Sequence, residues 1–212
     1  MNRLKKNFMS QNLISSLIEK NSSVLDVGCG DGSLLVFLED KKNITGHGLE
    51  ISHEGVQKCL TKGLSVLQGN ADTDLTNFPE NSFDYVILSH TLQATHKPKD
   101  VLNEMLRIGK KCIVSFPNFA YWKCRLDLLI KGSMPMTKTL SEPWYLTQNI
   151  HLCTIKDFVL ICELLKISID KAYRISENGS AKSIDSPESF FNNLFSVEGV
   201  FLISQNNPLQ HP

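Results

Sequence analysis

A short strand that runs directly into a glycine-rich turn constrains the fold of this chain more than any other feature. Residues 24–32 read Val-Leu-Asp-Val-Gly-Cys-Gly-Asp-Gly, and an apolar segment from Ser33 to Leu38 follows at once. This order is typical of a buried parallel strand, a tight turn and the start of a helix. Gly28, Gly30 and Gly32 let the backbone turn sharply and let a ligand approach closely, because a Cβ would block it. The free N–H groups at the helix start then face the space above the turn.

The spacing of these glycines separates two classes of cofactor site. Dinucleotide-binding enzymes carry Gly-x-Gly-x-x-Gly, whereas Gly32 comes one residue earlier than that pattern requires. Asp26 stands two residues before the first glycine, and its carboxylate suits an ammonium group better than a phosphate, since like charges repel. Both features argue against an NAD-dependent oxidoreductase. The turn resembles motif I of the class I S-adenosylmethionine (SAM) methyltransferases, in which the loop holds the methionine end of SAM.

Composition and charge indicate one ordinary domain. The 212 residues are enough for a domain that buries roughly 70% of its unfolded surface. The 22 basic and 22 acidic residues cancel, so no overall field favours nucleic acid or an anionic membrane. Six scattered cysteines, without a Cys-x-x-Cys pair, predict core residues in a reducing cytosol and no metal site. No apolar segment follows the basic stretch Met1 to Phe8, so we expect no signal peptide and a cytoplasmic protein.

Strand and helix patterns alternate along the first half of the chain. Further strands are predicted at 44–50, 64–68, 83–89 and 111–116, and helices at 6–19, at 53–62 and from Pro98 onward. This alternation predicts an α/β, doubly wound sheet. The resemblance to the class I SAM methyltransferases implies that the sheet is mostly parallel, seven-stranded and Rossmann-like.

After Pro117 the alternation becomes less regular. The sequence predicts, in order, a helix at 119–130, a loop at 132–150, a helix at 154–165, and two closing strands at 167–175 and 197–204. Thr154 is the predicted N-cap of the later helix, with Asp157 at the third helical position. We expect a single domain over 1–212, with a lid or partner segment at 117–153, a polar insert at 176–196 and a frayed end at 205–212.

The candidate cofactor residues stand at the carboxyl ends of the predicted strands, where ligands of open α/β sheets bind. Glu50 ends the second strand and could accept hydrogen bonds from both ribose hydroxyls, the alternative being an ordinary surface acid. Asn70 follows the third strand, where class I methyltransferases commonly carry an aspartate that accepts a bond from the adenine amino group. Asparagine keeps an acceptor but loses the charge, and Asp72 is a possible substitute. The complete predicted set for SAM or S-adenosylhomocysteine is Asp26, Gly28, Cys29, Gly30, Gly32, Glu50, Ile51, Asn70, Ala71 and Ser89.

No catalytic residue is assigned by the sequence. The fourth strand ends at Ser89 and His90, a position that faces the methyl group in the class I fold, but the Asn-Pro-Pro-Tyr signature of amino-methylating enzymes is absent. His90 is a candidate general base, since histidine titrates near neutrality. No carboxylate that would orient it can be identified, which favours a hydrogen-bonded loop residue instead. His151 has no further ligand at metal spacing, so neither histidine is predicted to be catalytic.

From the fourth strand onward the chain is similar to the family of methionine biosynthesis protein MetW. The resemblance covers roughly residues 12–170 and is carried by runs at 83–95, 101–109, 113–119 and 149–154, with shorter matches at 128–129, 132–135 and 144–145. General methyltransferases share the glycine turn but lack the runs Thr-Leu-Gln-Ala-Thr at 91–95 and Asn-Ile-His-Leu-Cys-Thr at 149–154. The insert at 176–196 is not part of this resemblance. The resemblance implies a role in methionine biosynthesis beside a homoserine O-acyltransferase, which members of the family accompany and support.

Two functions remain open at this point. In the first, the protein is a SAM-binding partner that supports or regulates the acyltransferase. In the second, it is a SAM-dependent methyltransferase that acts on an unidentified small molecule. The absence of an identifiable base favours the first function, although methyl transfer can proceed largely by positioning.

The segment 117–153 is the predicted partner surface. It is rich in the aromatic and methionine residues that are enriched at interfaces: Phe119, Tyr121, Trp122, Met134, Met136, Trp144 and Tyr145. The overlapping stretch 110–138 predicts a basic patch for an acidic partner face, with a single acid, Asp127, against six cations: Lys110, Lys111, Lys123, Arg125, Lys131 and Lys138. The alternative is that these aromatics form a lid over the SAM pocket.

Overall fold

A computed structural model describes residues 3–137 and 139–206, in which one sheet is flanked by helices. The strands are β1 (Ser23–Val27), β2 (Thr45–Glu50), β3 (Ser65–Gln68), β4 (Phe83–Ser89), β5 (Gly109–Pro117), β6 (Ile167–Ile175), β7 (Ala181–Ser183) and β8 (Glu198–Gln205). The helices are α1 (Arg3–Leu17), α2 (Ser33–Lys42), α3 (His53–Thr61), α4 (Pro98–Ile108), α5 (Trp122–Leu126), α6 (Ile155–Leu164) and α7 (Phe190–Phe195).

The sheet has the order β3-β2-β1-β4-β5-β8-β6-β7. Strands β1 to β5 are parallel to one another, whereas β8 is antiparallel to both β5 and β6. The predicted doubly wound α/β sheet is therefore confirmed. It has eight strands rather than seven, because three residues of the predicted insert form β7 on the edge of β6. The strand order reverses between β1 and β4, so the carboxyl ends of these two strands flank the switch point at which such sheets bind ligands.

The alternating side chains of β4 show how the core is divided between the two faces of the sheet. Val86 and Leu88 lie in the cluster that α4 and α6 cover, and Tyr85 and Ile87 lie in the cluster that α1, α2 and α3 cover. All four side chains are at most 3% exposed. A strand that is packed on both faces holds the loop at its carboxyl end in a fixed position. All six cysteines are free and five of them are buried, as the scattered spacing predicts.

The region after β5 differs from the prediction in detail. The helix begins at Trp122 rather than Phe119, and it continues from Asp127 to Lys131 as a single turn of π-helix. Gly132 ends that turn with a φ of +60°, and the predicted loop follows. Helix α6 has the predicted cap, since the Thr154 hydroxyl accepts a hydrogen bond from the N–H of Asp157, whose carboxylate accepts one from the N–H of Thr154.

The carboxyl end is ordered further than the sequence predicts. Strand β8 runs to Gln205, and residues 207–212 of the predicted frayed end lie outside the described residues. No helix in the described part of the chain combines the length and the apolar character that crossing a membrane requires.

Candidate functional site

The glycine turn joins β1 to α2 beside the switch point. The N–H groups of Gly28 and Cys29 donate to the carbonyl of Leu49, at 2.7 and 3.2 Å, which ties the turn to β2. Gly30 has a φ of +58°, and a Cβ built there would meet no atom within 4 Å. Gly32 has a φ of +74°, and a Cβ there would collide with the side chain of Leu64. A ligand can therefore reach the backbone at Gly30, while Gly32 is required by the packing of the turn.

Asp26 is a buried acid directly below this turn. Its side chain is 2% exposed, and no group in the described part of the chain forms a hydrogen bond with Oδ1. Burial, and secondarily the charge of Glu50, raises the pKa of Asp26 from 3.8 to about 7. A buried oxygen without a partner is costly, and a cation that donates N–H groups would remove both the unmet hydrogen bond and the charge penalty. The donor set therefore fits an ammonium group.

Glu50 lies beside the turn at the end of β2. The side chain is 7% exposed; Oε2 accepts a hydrogen bond from the N–H of Gly30 at 2.8 Å, and Oε1 accepts one from the N–H of Ser52 at 2.8 Å. These bonds fix the carboxylate, and each oxygen has a second lone pair that a hydroxyl could use. The next residue, Ile51, is 64% exposed and offers an apolar surface next to the acid.

Asn70 and Asp72 follow β3 in a tight turn. The side-chain oxygen of Asn70 accepts a hydrogen bond from the N–H of Asp72 at 2.9 Å. The carboxylate of Asp72 in turn accepts from the N–H groups of His96 and Lys97, at 3.0 and 2.8 Å, just before α4. Asn70 thus keeps one lone pair for a ligand, whereas both oxygens of Asp72 hold the start of α4. Ala71, between them, packs on the core.

The loop after β4 touches the glycine turn. The hydroxyl of Ser89 lies 3.1 Å from that of Ser115 on β5. A Cβ on Gly28 would lie 2.6 Å from the side chain of Thr91, so the turn and this loop are in direct contact. The ends of β1, β2 and β4 therefore bring Asp26, Glu50 and Ser89 to one edge of the sheet, as the sequence predicts from topology.

His90 has a carboxylate partner that the sequence did not reveal. Its Nε2 lies 2.8 Å from Oε1 of Glu198, a side chain on β8 that is 1% exposed. The hydroxyl of Ser10 donates to the same oxygen at 3.0 Å. The interpretation that His90 has no orienting acid is therefore wrong, because β8 pairs with β5 and brings Glu198 opposite Pro117. The one signal available in the sequence was an acid at the start of an apolar closing strand.

A cavity of about 630 Å³ lies beside His90, between the loop after β4 and residues 133–152. Gln93, which is 4% exposed, lines it and donates from Nε2 to the carbonyl of His90 at 2.7 Å. No group among the described residues forms a hydrogen bond with Gln93 Oε1. None of the predicted cofactor residues lines this cavity, so it adjoins their site through His90 but is distinct from it. Sequence reasoning missed Gln93, whose carbonyl accepts hydrogen bonds from the N–H groups of Ile150 and His151 in a distant loop.

The predicted basic patch is not a free positive surface. Carboxylates lie close to four of its lysines: Lys110 pairs with Asp84 at 2.8 Å, Lys111 with Glu19 at 3.8 Å, Lys123 with Glu177 at 2.5 Å and Lys131 with Asp127 at 2.6 Å. Lys110 and Lys111 also lie at the opposite end of β5 from the segment 117–153. Lys138 lies outside the described residues. The prediction of a basic patch is wrong, because most of the paired acids come from other segments of the chain.

Metal-ligating side chains are not concentrated at this edge. No group of three or more His, Cys, Asp or Glu residues suited to a metal ion occurs within 3–137 and 139–206. His151 is exposed, and its N–H donates to the carbonyl of Gln93 at 3.0 Å.

Two curated proteins show what this chain is similar to. The bifunctional methionine biosynthesis protein MetXA/MetW of Rhodopirellula baltica is 35% identical over 167 residues, which cover 74% of this chain and 27% of that protein. The demethylmenaquinone methyltransferase of Listeria welshimeri is 31% identical over 134 residues, which cover 56% of each protein. The chain thus spans about a quarter of the first relative and just over half of the second.

Solved structures and a family model give the fold and the family. A SAM-dependent methyltransferase from Mesorhizobium loti has a TM-score of 0.66 at 13% identity, over 92% of this chain and 97% of that one. Another from Archaeoglobus fulgidus has a TM-score of 0.60 at 17% identity, over 96% and 95%. These identities show the fold alone. The model described as "Methionine biosynthesis protein MetW" matches residues 9–203, and the chain belongs to the MetW family.

Proposed function

We propose that this protein binds SAM, or S-adenosylhomocysteine, at the edge formed by β1, β2 and β4, and that it supports or regulates a homoserine O-acyltransferase. The observation that carries the first half is the buried carboxylate of Asp26, whose Oδ1 has no partner in the described part of the chain. The α-ammonium group of SAM would supply the missing donor and a compensating charge. The SAM-dependent methyltransferases of the same fold support this assignment.

The remaining predicted residues would contact the ribose, the adenine and the methionine end of the cofactor. Glu50, fixed by Gly30 and Ser52, would accept hydrogen bonds from the ribose hydroxyls through its second lone pairs. The exposed side chain of Ile51 would contact the adenine ring, and Asn70 would accept from the adenine amino group. The open space above Gly30 would admit the methionine end.

The partner half of the proposal is supported by the Rhodopirellula relative, whose name joins MetXA and MetW in one protein. The joining of the two in one protein supports an association between this chain and a separate acyltransferase. The segment 117–153 has the exposed apolar surface that such an association needs. The large apolar side chains of this segment that are at least 65% exposed are Leu129, Ile130, Trp144, Tyr145 and Leu146.

Titration calorimetry with SAM and with S-adenosylhomocysteine tests the first half. Binding is expected for the native chain and is expected to be lost in Asp26→Asn, because the neutral amide cannot balance the ammonium charge. Asp40→Asn, on the exposed surface of α2, is the matched control and should bind as the native chain does. A native chain that binds neither ligand would refute the proposal.

Co-purification with the homoserine O-acyltransferase of the same organism tests the second half. The acyltransferase is then assayed alone, with this protein, and with this protein plus SAM. Acyltransferase activity that depends on this protein is the expected result, with SAM changing the extent. Failure to co-purify, together with unchanged acyltransferase activity, would refute the proposed partner role and leave only the proposed SAM binding.

A second candidate function is favoured by the cavity beside His90. A methyltransferase needs a space for its acceptor next to the methyl donor, and this cavity adjoins the predicted cofactor residues through Ser89 and His90. In this function the protein would transfer a methyl group to a small molecule. Labelled product from labelled SAM, without any effect on the acyltransferase, would favour it.

A further inference from the structure

Two runs distinguish this chain from general methyltransferases, Thr-Leu-Gln-Ala-Thr at 91–95 and Asn-Ile-His-Leu-Cys-Thr at 149–154, and neither contains a predicted cofactor residue. The structure places the two runs in contact. The carbonyl of Gln93 accepts hydrogen bonds from the N–H groups of Ile150 and His151, at 2.9 and 3.0 Å. The sequence features specific to the family therefore meet at one point of the fold.

The run at 91–95 also lies against the cofactor edge. A Cβ on Gly28 would lie 2.6 Å from both Cγ2 and Oγ1 of Thr91, so the glycine turn rests directly on this side chain. The two N–H groups that follow the run donate to the carboxylate of Asp72, in the turn that carries Asn70. Two of the turns at which SAM is proposed to bind are thus in contact with this run.

The run at 149–154 closes the predicted partner surface. The N–H of Phe119 donates to the carbonyl of Cys153 at 3.1 Å, which ties the end of that segment to its start. Directly after the run, the N–H of Ile155 donates to the side-chain oxygen of Asn118 at 3.3 Å, and Asn118 is 2% exposed. A displacement of this run would therefore move both ends of the segment.

His90, directly before the first run, has a strained backbone conformation. Its φ is +55°, in the left-handed region that residues with a Cβ seldom adopt. Its imidazole lies 2.8 Å from the buried carboxylate of Glu198, and its carbonyl accepts from Nε2 of Gln93 at 2.7 Å. Strained residues persist where their surroundings fix them, and they cluster at switch regions. The start of the run is therefore held in place by contacts on both its side chain and its backbone.

We propose that these two runs couple the cofactor edge to the partner surface, so that bound SAM or S-adenosylhomocysteine stabilises the segment 117–153 and tightens its association with the acyltransferase; this proposal rests on the function proposed above. A ligand at the glycine turn restricts the turn and, through Thr91, the run at 91–95. The hydrogen bonds of Ile150 and His151 then open less often, so the partner has less of the segment to order. By linkage, the partner tightens ligand binding by the same factor.

Hydrogen exchange of the Ile150 and His151 amides, followed by NMR, tests the coupling without the partner. Saturating S-adenosylhomocysteine should slow the exchange of both amides by about 5-fold or more, the lower range of typical coupling between two sites. The amide of Lys166, which donates to the carbonyl of Glu163 in the turn before β6, is the internal reference and should not change.

Three variants identify the contact that carries the effect. Thr91→Ala removes both γ atoms that lie against the glycine turn, so the slowing should disappear while S-adenosylhomocysteine still binds. Thr91→Val keeps the shape of the side chain but loses the hydrogen bond from the hydroxyl to the carbonyl of Ser89, and it should retain the slowing. Thr61→Ala, on the exposed surface of α3, loses a similar hydroxyl bond to a backbone carbonyl and should behave as the native chain does.

Surface-immobilised acyltransferase measures the second half of the coupling. It should bind the native chain about 5-fold or more tightly with saturating S-adenosylhomocysteine than without it. Thr91→Ala should bind equally under the two conditions, and Thr91→Val should retain the difference.

The outcomes distinguish the coupling from the function on which it rests. If S-adenosylhomocysteine does not bind, the proposed SAM site fails; if the acyltransferase is captured under neither condition, the proposed partner role fails. If both bind but exchange at Ile150 and His151 is unchanged, or association is the same with and without the ligand, both sites stand and the coupling is overturned. Slowing that persists in Thr91→Ala would overturn the role of its contact with the glycine turn.

Discussion

The carboxylate of Glu50 accepts a hydrogen bond from the backbone N–H of Gly30 at 2.8 Å, so the end of β2 fixes the turn that follows β1. The same side chain accepts from the N–H of Ser52 at the start of α3, and its charge adds to the burial that raises the pKa of Asp26. Glu50 therefore fixes the backbone of the turn and the beginning of α3, and it also affects the protonation of Asp26. Changes at Glu50 are expected to affect SAM binding both directly and through the turn.

Glu50→Ala should weaken SAM binding by on the order of 1.5–3 kcal/mol, the cost of losing a charged acceptor for the ribose hydroxyls. Calorimetry measures this directly. Glu54→Ala, an exposed acid of α3, serves as the control and should bind normally. Unchanged affinity in Glu50→Ala would place the ribose elsewhere.

The affinity for SAM should depend on pH through Asp26. Its pKa of about 7 means that the carboxylate is increasingly neutral below pH 7, so the ion pair with the ammonium group is lost there. Affinity should fall by about tenfold per pH unit on the acid side. Above about pH 8 the α-amino group of the ligand loses its own proton, and affinity should fall again.

Calorimetry from pH 5.5 to 8.5 measures this profile. Loss of affinity in Asp26→Asn at every pH would agree with the assignment. If the SAM affinity of Asp26→Asn fell at acid pH in the same way as that of the native chain, a group other than Asp26 would be responsible for the pH dependence.

Asp26 should also make the ligand-free protein less stable as the pH rises. The folded pKa is raised from 3.8 to about 7, so the folded state binds the proton more tightly than the unfolded chain does. Stability from this group is fully present below pH 3.8 and is lost as the pH rises through 7. The Asp26→Asn variant lacks this pH-dependent contribution to stability. The free energy of unfolding of the variant relative to the native chain should therefore increase by about 3 kcal/mol between pH 4.5 and 8. Urea unfolding at several pH values measures this difference, with Asp40→Asn as the control. If the pKa of Asp26 were not raised on folding, the difference in the free energy of unfolding between Asp26→Asn and the native chain would stay constant over this pH range.

Asn70→Asp should tighten SAM binding by about 1 kcal/mol at most. One carboxylate oxygen can still accept from the N–H of Asp72, and the other can accept from the adenine amino group with the benefit of charge. The nearby carboxylates of Asp72 and Asp74 oppose the new charge and limit the gain. Weaker binding by the variant, measured by calorimetry, would mean that Asp72 or the backbone recognises adenine instead.

Local patterns predicted the elements whose signals lie within a few residues. Helix α4 begins at Pro98 and buries Val101, Leu102 and Met105, the apolar face that its spacing indicates. The cap of α6 depends on Thr154 and Asp157, three residues apart, so it could be identified without any knowledge of the fold. The ends of the parallel strands follow in the same way, because topology places them at one edge.

Contacts between distant segments could not be predicted in this way. His90 and Glu198 are separated by 108 residues and meet because β8 inserts between β5 and β6. The pairing of Lys123 with Glu177 likewise depends on how the insert packs. Counting charges along 110–138 therefore predicted a basic patch that the acids of other segments partly neutralise. Two residues this far apart in the sequence carry no local signal that they will pair.

The last prediction concerns the partner surface at 117–153. Trp122 and Trp144 are 37% and 71% exposed, and large aromatic side chains of this kind dominate the binding energy of interfaces. Trp122→Ala and Trp144→Ala should each weaken association with the acyltransferase by about 2 kcal/mol or more, with SAM affinity nearly unchanged. Surface-immobilised acyltransferase and parallel SAM calorimetry measure the two quantities.

Phe191→Ala is the matched control for the tryptophan variants, since Phe191 is an aromatic residue of α7 that is 68% exposed and lies outside the segment. It should leave association intact. Trp144 also lines the cavity beside His90, whereas Trp122 does not, so the two variants separate a partner surface from a lid. A partner surface requires both variants to lose association. If Trp144→Ala instead abolishes SAM binding while the acyltransferase is still captured, the segment is a lid and the partner binds another face.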